Sequence, residues 1–503
     1  MLRYVSDSGG TPRNLSDQST QNFRIGQMEK MAEPKEETQH LVESETQPVC
    51  YTDEKDEEDS DGKSQNKSGI FGVSFNICNA TIGNGLVATP FAIAKCGILL
   101  GTALLILVAL VADYALRIII KAGNFGGAHS YQELMHKAFG KKGFYLITVM
   151  QFFFSYLSLI SYLILIGDTL AGLIAGFTAC ATLNTILNDH RFLIFLAAFL
   201  VIFPLSLIRD VSRYSKVSCI SIFMILAMTT VVLFNMAHTY QENEIPVKST
   251  DWPLFSWEFP NGVSIIAVLY ACHHMSFMMY DSLRDKTEKT WAKAVHLSMA
   301  AMLVIILAFS IGGYATYRQF TQADFSQNFC IAEIVSGIFR IALTITLMFI
   351  YPLDCFVVKT VIEESVFRNH QPQPFWRNVI IVILILTSTA AIAMFTSCVD
   401  IVLELNGIIN ALPVVFILPP LCLIKLRPEP LKCIQNIVPV LTSLLGFIFF
   451  VLGTFQVVLH FIHGLDCENA QSWPYCPAGP CDNYTSTTGP SHHFMDSTTP
   501  MIL

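Results

Sequence analysis

The hydrophobic and polar positions of this chain divide most of it into long apolar runs separated by short polar stretches. A helix needs about 20 mainly apolar residues to cross the roughly 30 Å hydrocarbon core of a membrane. Eleven segments meet this requirement and are predicted to be membrane-spanning helices: 70–95, 98–120, 143–174, 192–208, 216–237, 259–281, 294–317, 332–359, 378–396, 405–424 and 436–463. The pattern therefore indicates an all-α, polytopic membrane protein.

Charge is distributed unevenly and divides the chain into three regions. Charged residues make up 14% of the chain, against about 25% in typical soluble domains. Many of them lie in residues 1–68, a predicted disordered acidic tail with too little apolar surface to fold. A membrane domain follows at 69–463, and 464–503 form a second tail. The net charge of −8 largely reflects the first tail, and membrane lipids rather than nucleic acid are the expected surroundings.

Basic residues between the predicted spans give the orientation. If the N-terminal tail is cytoplasmic, the outer loops contain few basic residues, namely Lys95, Arg191, Lys248 and Arg318. The positive-inside rule supports this arrangement, and eleven crossings then place the C-terminal tail on the extracellular or lumenal side. Asn483 lies there in an Asn-Tyr-Thr acceptor and is predicted to be glycosylated. Outer cysteines can form disulfide bonds in a pairing that the sequence leaves open: Cys180, Cys330, Cys467, Cys476 and Cys481.

The first span contains a stretch that is unsuited to a continuous helix. Gly83 and Gly85 flank Asn84 near its middle, and Pro90 follows. Glycine and proline are poor helix formers. A helix broken at this depth exposes backbone groups that suit a carboxylate, a cation or an ammonium group. The alternative interpretation is an unbroken helix that packs closely through its small residues.

Other polar residues lie inside predicted spans, where they usually face a cavity or a partner. In the sixth span, either His273 or His274 can contact a proton, a substrate or a gate, and a neutral histidine bonded to a carbonyl is the alternative. A metal site is not expected, because no other ligand lies one turn from the pair. Asp113 and Asp354 lie near cytoplasmic ends and are expected to extend to the membrane surface. Arg340 lies deeper and is expected to have a carboxylate or carbonyl partner.

Several segments resemble the sodium-coupled neutral amino acid transporter family. Phe75–Gly85 reads F-N-x-x-N-x-x-x-G-x-G, and Ser161–Leu170 reads S-Y-x-x-x-x-G-D-x-L. Leu403–Gly407 is similar to the family's loop before the tenth helix, and Met348–Phe356 is similar to its eighth helix. The resemblance covers about residues 68–463.

The resemblance implies a LeuT-like fold in which two inverted five-helix repeats, 70–237 and 259–424, are followed by one extra helix. The broken first and sixth helices would then face each other around a small neutral amino acid. The substrate-binding residues that this implies are Thr81, Gly83, Asn84, Gly85, Tyr270 and His273.

The same resemblance implies a sodium site between the first and eighth helices. Asn79 matches the family's sodium-contacting asparagine. Ile350 stands where relatives often have threonine, so Thr346, one turn earlier, is the replacement candidate. Hard cations bind oxygen ligands, and isoleucine has none. Sodium is the coupling ion that the resemblance implies, and the missing oxygen at Ile350 makes a proton the alternative. No other cofactor or metal is expected.

The sequence thus predicts a secondary active transporter of small neutral amino acids that works by sodium symport and alternating access. A multi-pass location in the plasma membrane is favoured over the lysosomal membrane. A proton-coupled transporter and an amino acid sensor are the alternatives. An enzyme is not predicted, because H-E-x-x-H, G-x-S-x-G and P-loop motifs are absent and only His273 with Asp168 offers a loose candidate pair. A channel would need repeated pore-lining charges, which the spans lack.

The predicted orientation can be tested at Asn483. Glycosidase treatment should increase the gel mobility of the wild-type protein and leave Asn483→Gln unchanged, because only a lumenal or extracellular tail meets the glycosylation machinery. An antibody to residues 1–68 should stain only permeabilised cells. Staining of intact cells would show that the orientation is wrong.

Overall fold

The structure, a computed structural model, describes residues 68–82, 85–177, 189–207, 214–242, 252–330, 333–367, 374–396, 398–427, 436–463 and 475–476. Apart from an isolated bridge between Ser68 and Leu283, the regular structure of this described part is helical. The predicted acidic tail up to residue 67, Gly83, Asn84 and the glycosylation candidate Asn483 lie outside it.

The first half of the chain contains seven α-helices in the described residues: α1 (Ile70–Ile82), α2 (Thr89–Cys96), α3 (Ile98–Gly126), α4 (Tyr131–Phe177), α5 (His190–Ala197), α6 (Phe203–Ser206) and α7 (Tyr214–Glu242). The second half contains eight: α8 (Phe259–Leu269), α9 (Ser276–Asp281), α10 (Glu288–Tyr317), α11 (Ile334–Val366), α12 (Phe375–Phe395), α13 (Val399–Asn406), α14 (Leu418–Leu426) and α15 (Ile437–His463). A π-helical turn joins α5 to α6, and two more lie between α13 and α14.

Nine helical segments of the described residues are long and apolar enough to cross a membrane. His190–Ser206 is apolar but shorter, and the first predicted span is divided between α1 and α2. These features confirm an all-helical, polytopic membrane protein, while the count of eleven spans stays a prediction.

Burial distinguishes central from peripheral spans. The most apolar window of Phe259–Asp281 is 89% buried, whereas that of Ile437–Leu459 is only 22% buried. The last helix exposes large apolar side chains such as Phe447 and Phe455, as expected where lipid is the solvent. The sixth predicted span therefore lies at the centre of the helical assembly, and α15 lies at its edge.

Two predicted boundaries differ from the structure. α4 begins at Tyr131, twelve residues before the predicted span, and is kinked at Gly140, whose φ of 68° and ψ of −156° are not helical. The Leu403–Gly407 segment is not a loop, because its first four residues complete α13 and Gly407 begins a π-helical turn. Val399, Val402, Leu403 and Asn406 are buried on one face of α13, and this helical spacing explains the difference.

A disulfide bond joins Cys330 to Cys476 across 146 residues of sequence. Next to it, the hydroxyl of Tyr475 donates a hydrogen bond of 3.1 Å to the carbonyl of Asn328. The Tyr475 ring also lies against Tyr317, with ring centres 5.6 Å apart. The prediction of a disulfide between outer cysteines is therefore confirmed for this pair. Cys398, which the sequence analysis did not include, is also disulfide-bonded.

Loss of the Cys330–Cys476 bond is expected to destabilise the protein. Closing a long loop restricts the unfolded chain and typically contributes about 2–4 kcal/mol. Cys476→Ser should therefore lower the melting temperature of the detergent-solubilised protein. Cys219→Ser is the matched control, since Cys219 is exposed and free. Equal melting temperatures for the two variants under oxidising conditions would contradict the expectation.

Candidate functional site

Two predicted spans are interrupted at mid-length. α1 ends at Ile82, α2 begins at Thr89, and residues 85–88 form a turn between them. In the sixth span, α8 ends at Leu269, and a 3-10 turn at His273–Met275 precedes α9. The broken-helix interpretation of the first span is therefore confirmed. Both interruptions leave backbone donors and acceptors without partners from a continuous helix.

The two interruptions lie against each other. A Cβ atom on Gly85 would lie only 2.7 Å from the Cα of Leu269, so no larger residue fits without displacing backbone. The side chains of Thr81 and Cys272 also lie close to each other. Glycine is needed at position 85 for this close approach of two backbones. The contact brings the end of α1 next to the start of the second interruption.

The predicted substrate-binding residues that the structure describes lie in or beside this contact. Thr81 is buried, and its hydroxyl donates to the carbonyl of Ile77 at 2.7 Å. Tyr270 is fully buried, and its hydroxyl has no hydrogen-bond partner among the described residues. His273 is also fully buried beside the carbonyl of Ala112, although neither ring nitrogen makes a hydrogen bond of standard geometry there. Their roles in binding remain predictions.

The predicted sodium-binding residues are both buried. Asn79 lies on α1 with no exposed surface, and Thr346 lies on α11, where its hydroxyl donates to the carbonyl of Ala342 at 2.8 Å. α1 and α11 are in contact. Ile350 is buried one turn after Thr346 and contributes only apolar surface. In the described part of the chain, no three His, Cys, Asp or Glu side chains are arranged to hold a metal ion.

A second polar cluster, which the sequence analysis missed, lies beside the sixth-span interruption. Asp354 is 6% exposed, and its Oδ2 accepts a hydrogen bond of 2.7 Å from the hydroxyl of Tyr162. Its Oδ1 lies 3.6 Å from Nε2 of His274. The expectation that Asp354 extends to the membrane surface is therefore wrong, because Tyr162 and His274 hold its carboxylate inside the protein. Asp113 is likewise held inside, by ion pairs to Arg117 and His296.

Charged residues also meet at the opposite end of α11. The Arg340 side chain donates to the carbonyl of Ser326 at 3.1 Å, which confirms the expected carbonyl partner. The Oδ1 atom of Asp168 accepts a hydrogen bond from Nδ1 of His190 at 2.8 Å. Burial, with the nearby charge of Asp168, raises the pKa of Asp324 to about 7. These groups connect α4, α5 and α11 to the loop that follows α10.

Comparison with known proteins identifies a family and a fold for this chain. The family described as "Transmembrane amino acid transporter protein" matches residues 66–463. A Danio rerio protein named "Putative sodium-coupled neutral amino acid transporter 11" is 32% identical, over 84% of this chain and 93% of its own length. The Homo sapiens protein of the same name is 31% identical, over 80% and 97%. A manganese transporter structure from Eremococcus coleocola shares the fold with a TM-score of 0.51 at 12% identity, over 79% of this chain and 88% of that one.

Gly85→Leu tests whether the contact between the interruptions is functional. The larger side chain would clash with the Leu269 backbone and is expected to abolish amino acid uptake. Leucine is apolar, so membrane insertion should be retained. Gly337→Leu is the matched control, because a Cβ there would meet no atom within 4 Å. Both variants should be measured for uptake and for abundance in the membrane. Uptake by Gly85→Leu above half of the wild-type rate would contradict a functional contact.

Proposed function

Because the chain belongs to the transmembrane amino acid transporter family, we propose that it is a secondary active transporter that couples small neutral amino acids to sodium through alternating access. Membership confirms the resemblance that the motifs indicated. The chain is an integral, multi-pass membrane protein whose relatives are transporters rather than enzymes. The substrate size and charge, the coupling ion and the location belong to the proposal.

The observation that carries this proposal is the close contact between the two interrupted spans. The N-terminus of α2 presents the positive end of a helix dipole, which suits a substrate carboxylate. The C-terminal carbonyls of α1 and α8 suit an ammonium group. Backbone groups thus recognise the part that all amino acids share. Leu269, Tyr270 and Cys272 offer uncharged surroundings, which favours a neutral side chain.

The positions of the interruptions also support the proposed LeuT-like architecture of eleven helices. α1 with α2 would be the first helix of one repeat, 70–237, and α8 with α9 the first helix of the other, 259–424. Interrupted helices at corresponding positions of two inverted repeats are typical of transporters with a binding site at the membrane midplane. α15 would be the additional eleventh helix.

The membrane orientation follows from the distribution of basic residues. We place the N-terminal tail in the cytoplasm and the C-terminal tail, with Asn483, outside the cell or in a lumen. The plasma membrane is the proposed location. An extracellular C-terminal tail would also place the Cys330–Cys476 bond in an oxidising environment.

The proposed sodium site uses the Asn79 side chain, carbonyls at the end of α1 and the Thr346 hydroxyl. The Thr346 hydroxyl donates its hydrogen to Ala342, so the oxygen lone pairs remain able to accept a cation. Ile350 cannot supply an oxygen. We therefore propose weak sodium binding, since each oxygen ligand contributes to the affinity for a hard cation.

A proton is the second candidate for the coupling ion. The observation that favours it is the buried Asp354, which faces both Tyr162 and His274. Ionisable side chains inside the membrane commonly mark proton pathways in transporters. Sodium and proton coupling do not exclude each other in this arrangement, because the two sets of residues are different.

The proposed sodium site predicts the effects of three substitutions on uptake into proteoliposomes. Ile350→Thr should raise the apparent sodium affinity about tenfold, which corresponds to about 1.4 kcal/mol, because it adds an oxygen ligand. Asn79→Ala and Thr346→Ala should lower it. Ile341→Thr is the matched control, since Ile341 lies on the exposed face of the same helix.

The initial rate of uptake should be measured over a series of sodium concentrations at constant ionic strength. Unchanged sodium dependence in Ile350→Thr together with a loss in Thr346→Ala would mean that Thr346 already completes the site. Sodium-independent uptake in the wild type, unaffected by Asn79→Ala, would contradict sodium coupling.

A further inference from the structure

His274 lies where three parts of the fold meet. It belongs to the 3-10 turn of the interrupted sixth span, and it faces Asp354 on α11, which in turn accepts a hydrogen bond from Tyr162 on α4. The side chains of His274 and Asp354 are 3% and 8% exposed. Gln151 on α4 donates to the carbonyl of His274 at 3.2 Å and so fixes the backbone of the turn. A histidine and a carboxylate are thus buried together inside the membrane domain.

The net charge of this pair depends on one proton. With one proton, the pair is neutral overall, either as an ion pair or as a carboxylic acid beside a neutral imidazole. Without the proton it carries one negative charge, which is costly in a medium of low dielectric constant. The hydrogen bond from Tyr162 stabilises the carboxylate but adds no charge. Protonation of the pair is therefore a change in buried charge beside the interruption of the sixth span.

Other titratable groups of the described residues adjoin the pair on the elements that carry it. His273 adjoins His274 in the same turn and points toward α3, beside Ala112. Cys355 and Lys359 follow Asp354 on α11, and the Lys359 ammonium group lies 5.1 Å from the centre of the Phe356 ring. α4 contributes the Phe154 ring, 4.8 Å from that of His274, besides Tyr162 and Gln151. Lys359 is the one permanent positive charge among these groups.

A cavity of about 370 Å³ gives the pair a route to water. His274 forms part of its wall, together with four further titratable side chains: His129, Tyr131, Asp281 and Glu364. The cavity has a mainly apolar wall but is partly open, so water that enters it can carry protons between these titratable groups. In the proposed orientation this cavity lies on the cytoplasmic side, because the short connection between α3 and α4 is cytoplasmic.

We propose that His274 and Asp354, with Tyr162 as hydrogen-bond donor, form a proton-binding site that exchanges protons with the cytoplasm through this cavity. The proton resides on either Nε2 of His274 or Oδ1 of Asp354, which lie 3.6 Å apart, and leaves to water in the cavity. Because His274 is part of the sixth-span interruption, loss of the proton changes the position that this turn prefers. The inference rests on the proposed transport function but not on sodium coupling.

Proteoliposomes that contain a pH-sensitive dye test the proposal. A radiolabelled amino acid mixture is added at different external pH values, and uptake, internal acidification and exchange at equal pH on both sides are recorded. Wild-type uptake should acidify the interior. Asp354→Asn and His274→Gln should abolish the acidification and the pH dependence of uptake while retaining exchange. Asp113→Asn is the matched control, since it removes another intramembrane carboxylate that has its own partners, Arg117 and His296.

Each outcome distinguishes the proton site from the transport function. Amino-acid-dependent acidification that persists in Asp354→Asn would overturn the proton site, as would exchange without acidification in the wild type. An absence of exchange in the wild type would instead contradict the transport function. In that case the pH-difference infrared spectrum of the purified protein decides: a carboxyl band present in the wild type and in Asp113→Asn but absent from Asp354→Asn supports the site, and an unchanged band overturns it.

Discussion

Every polar backbone group that lies at membrane depth needs a partner, because lipid provides none. This constraint explains why most of the chain is helical, and it makes the two interruptions costly unless they serve a purpose. The chain meets it by placing the interruptions together at Gly85 and Leu269, at the centre of the assembly and away from lipid. An amino acid headgroup carries both charges that the exposed helix ends can satisfy. The proposed binding function and the fold therefore depend on the same backbone segments.

Side-chain hydrogen bonds between helices hold the surrounding spans around this centre. The hydroxyl oxygens of Thr169 on α4 and Thr344 on α11 lie 3.0 Å apart. The hydrogen bond from Tyr162 to Asp354 connects the same two helices further along. Ser310 on α10 donates to Thr89, the first residue of α2, at 2.6 Å. Each such bond contributes only about 0.6 kcal/mol on average in a membrane. These hydrogen bonds therefore matter mainly because they set the separation of the helices that enclose the interruptions.

The first interruption could be predicted because its cause is local. Two glycines around Asn84, with Pro90 close behind, make a continuous helix unfavourable whatever surrounds them. The membrane spans could be predicted for the same reason, since span length and composition are local properties. The Leu403–Gly407 segment was assigned wrongly as a loop because its helicity depends on a buried face that only packing reveals.

The residues of the proposed proton site could not be linked from the sequence, because they are far apart in it. Tyr162 and Asp354 are separated by 192 residues, and no spacing rule connects them. The position of Asp354 near the end of a predicted span suggested contact with the membrane surface, whereas α11 extends beyond it to Val366. The pairing of Cys330 with Cys476 could not be predicted for the same reason, since the sequence did not show which two of the outer cysteines lie close together.

The central claim is that the two interruptions together bind the headgroup of an amino acid. The most direct test is a cryo-electron microscopy structure of the protein in lipid nanodiscs with a saturating concentration of an amino acid that it transports. Substrate density is expected between the Ile82–Thr89 and Leu269–His273 segments, with the substrate carboxylate toward the start of α2. Density elsewhere, such as in the cavity beside His274, with the contact at Gly85 unchanged by substrate, would contradict this claim.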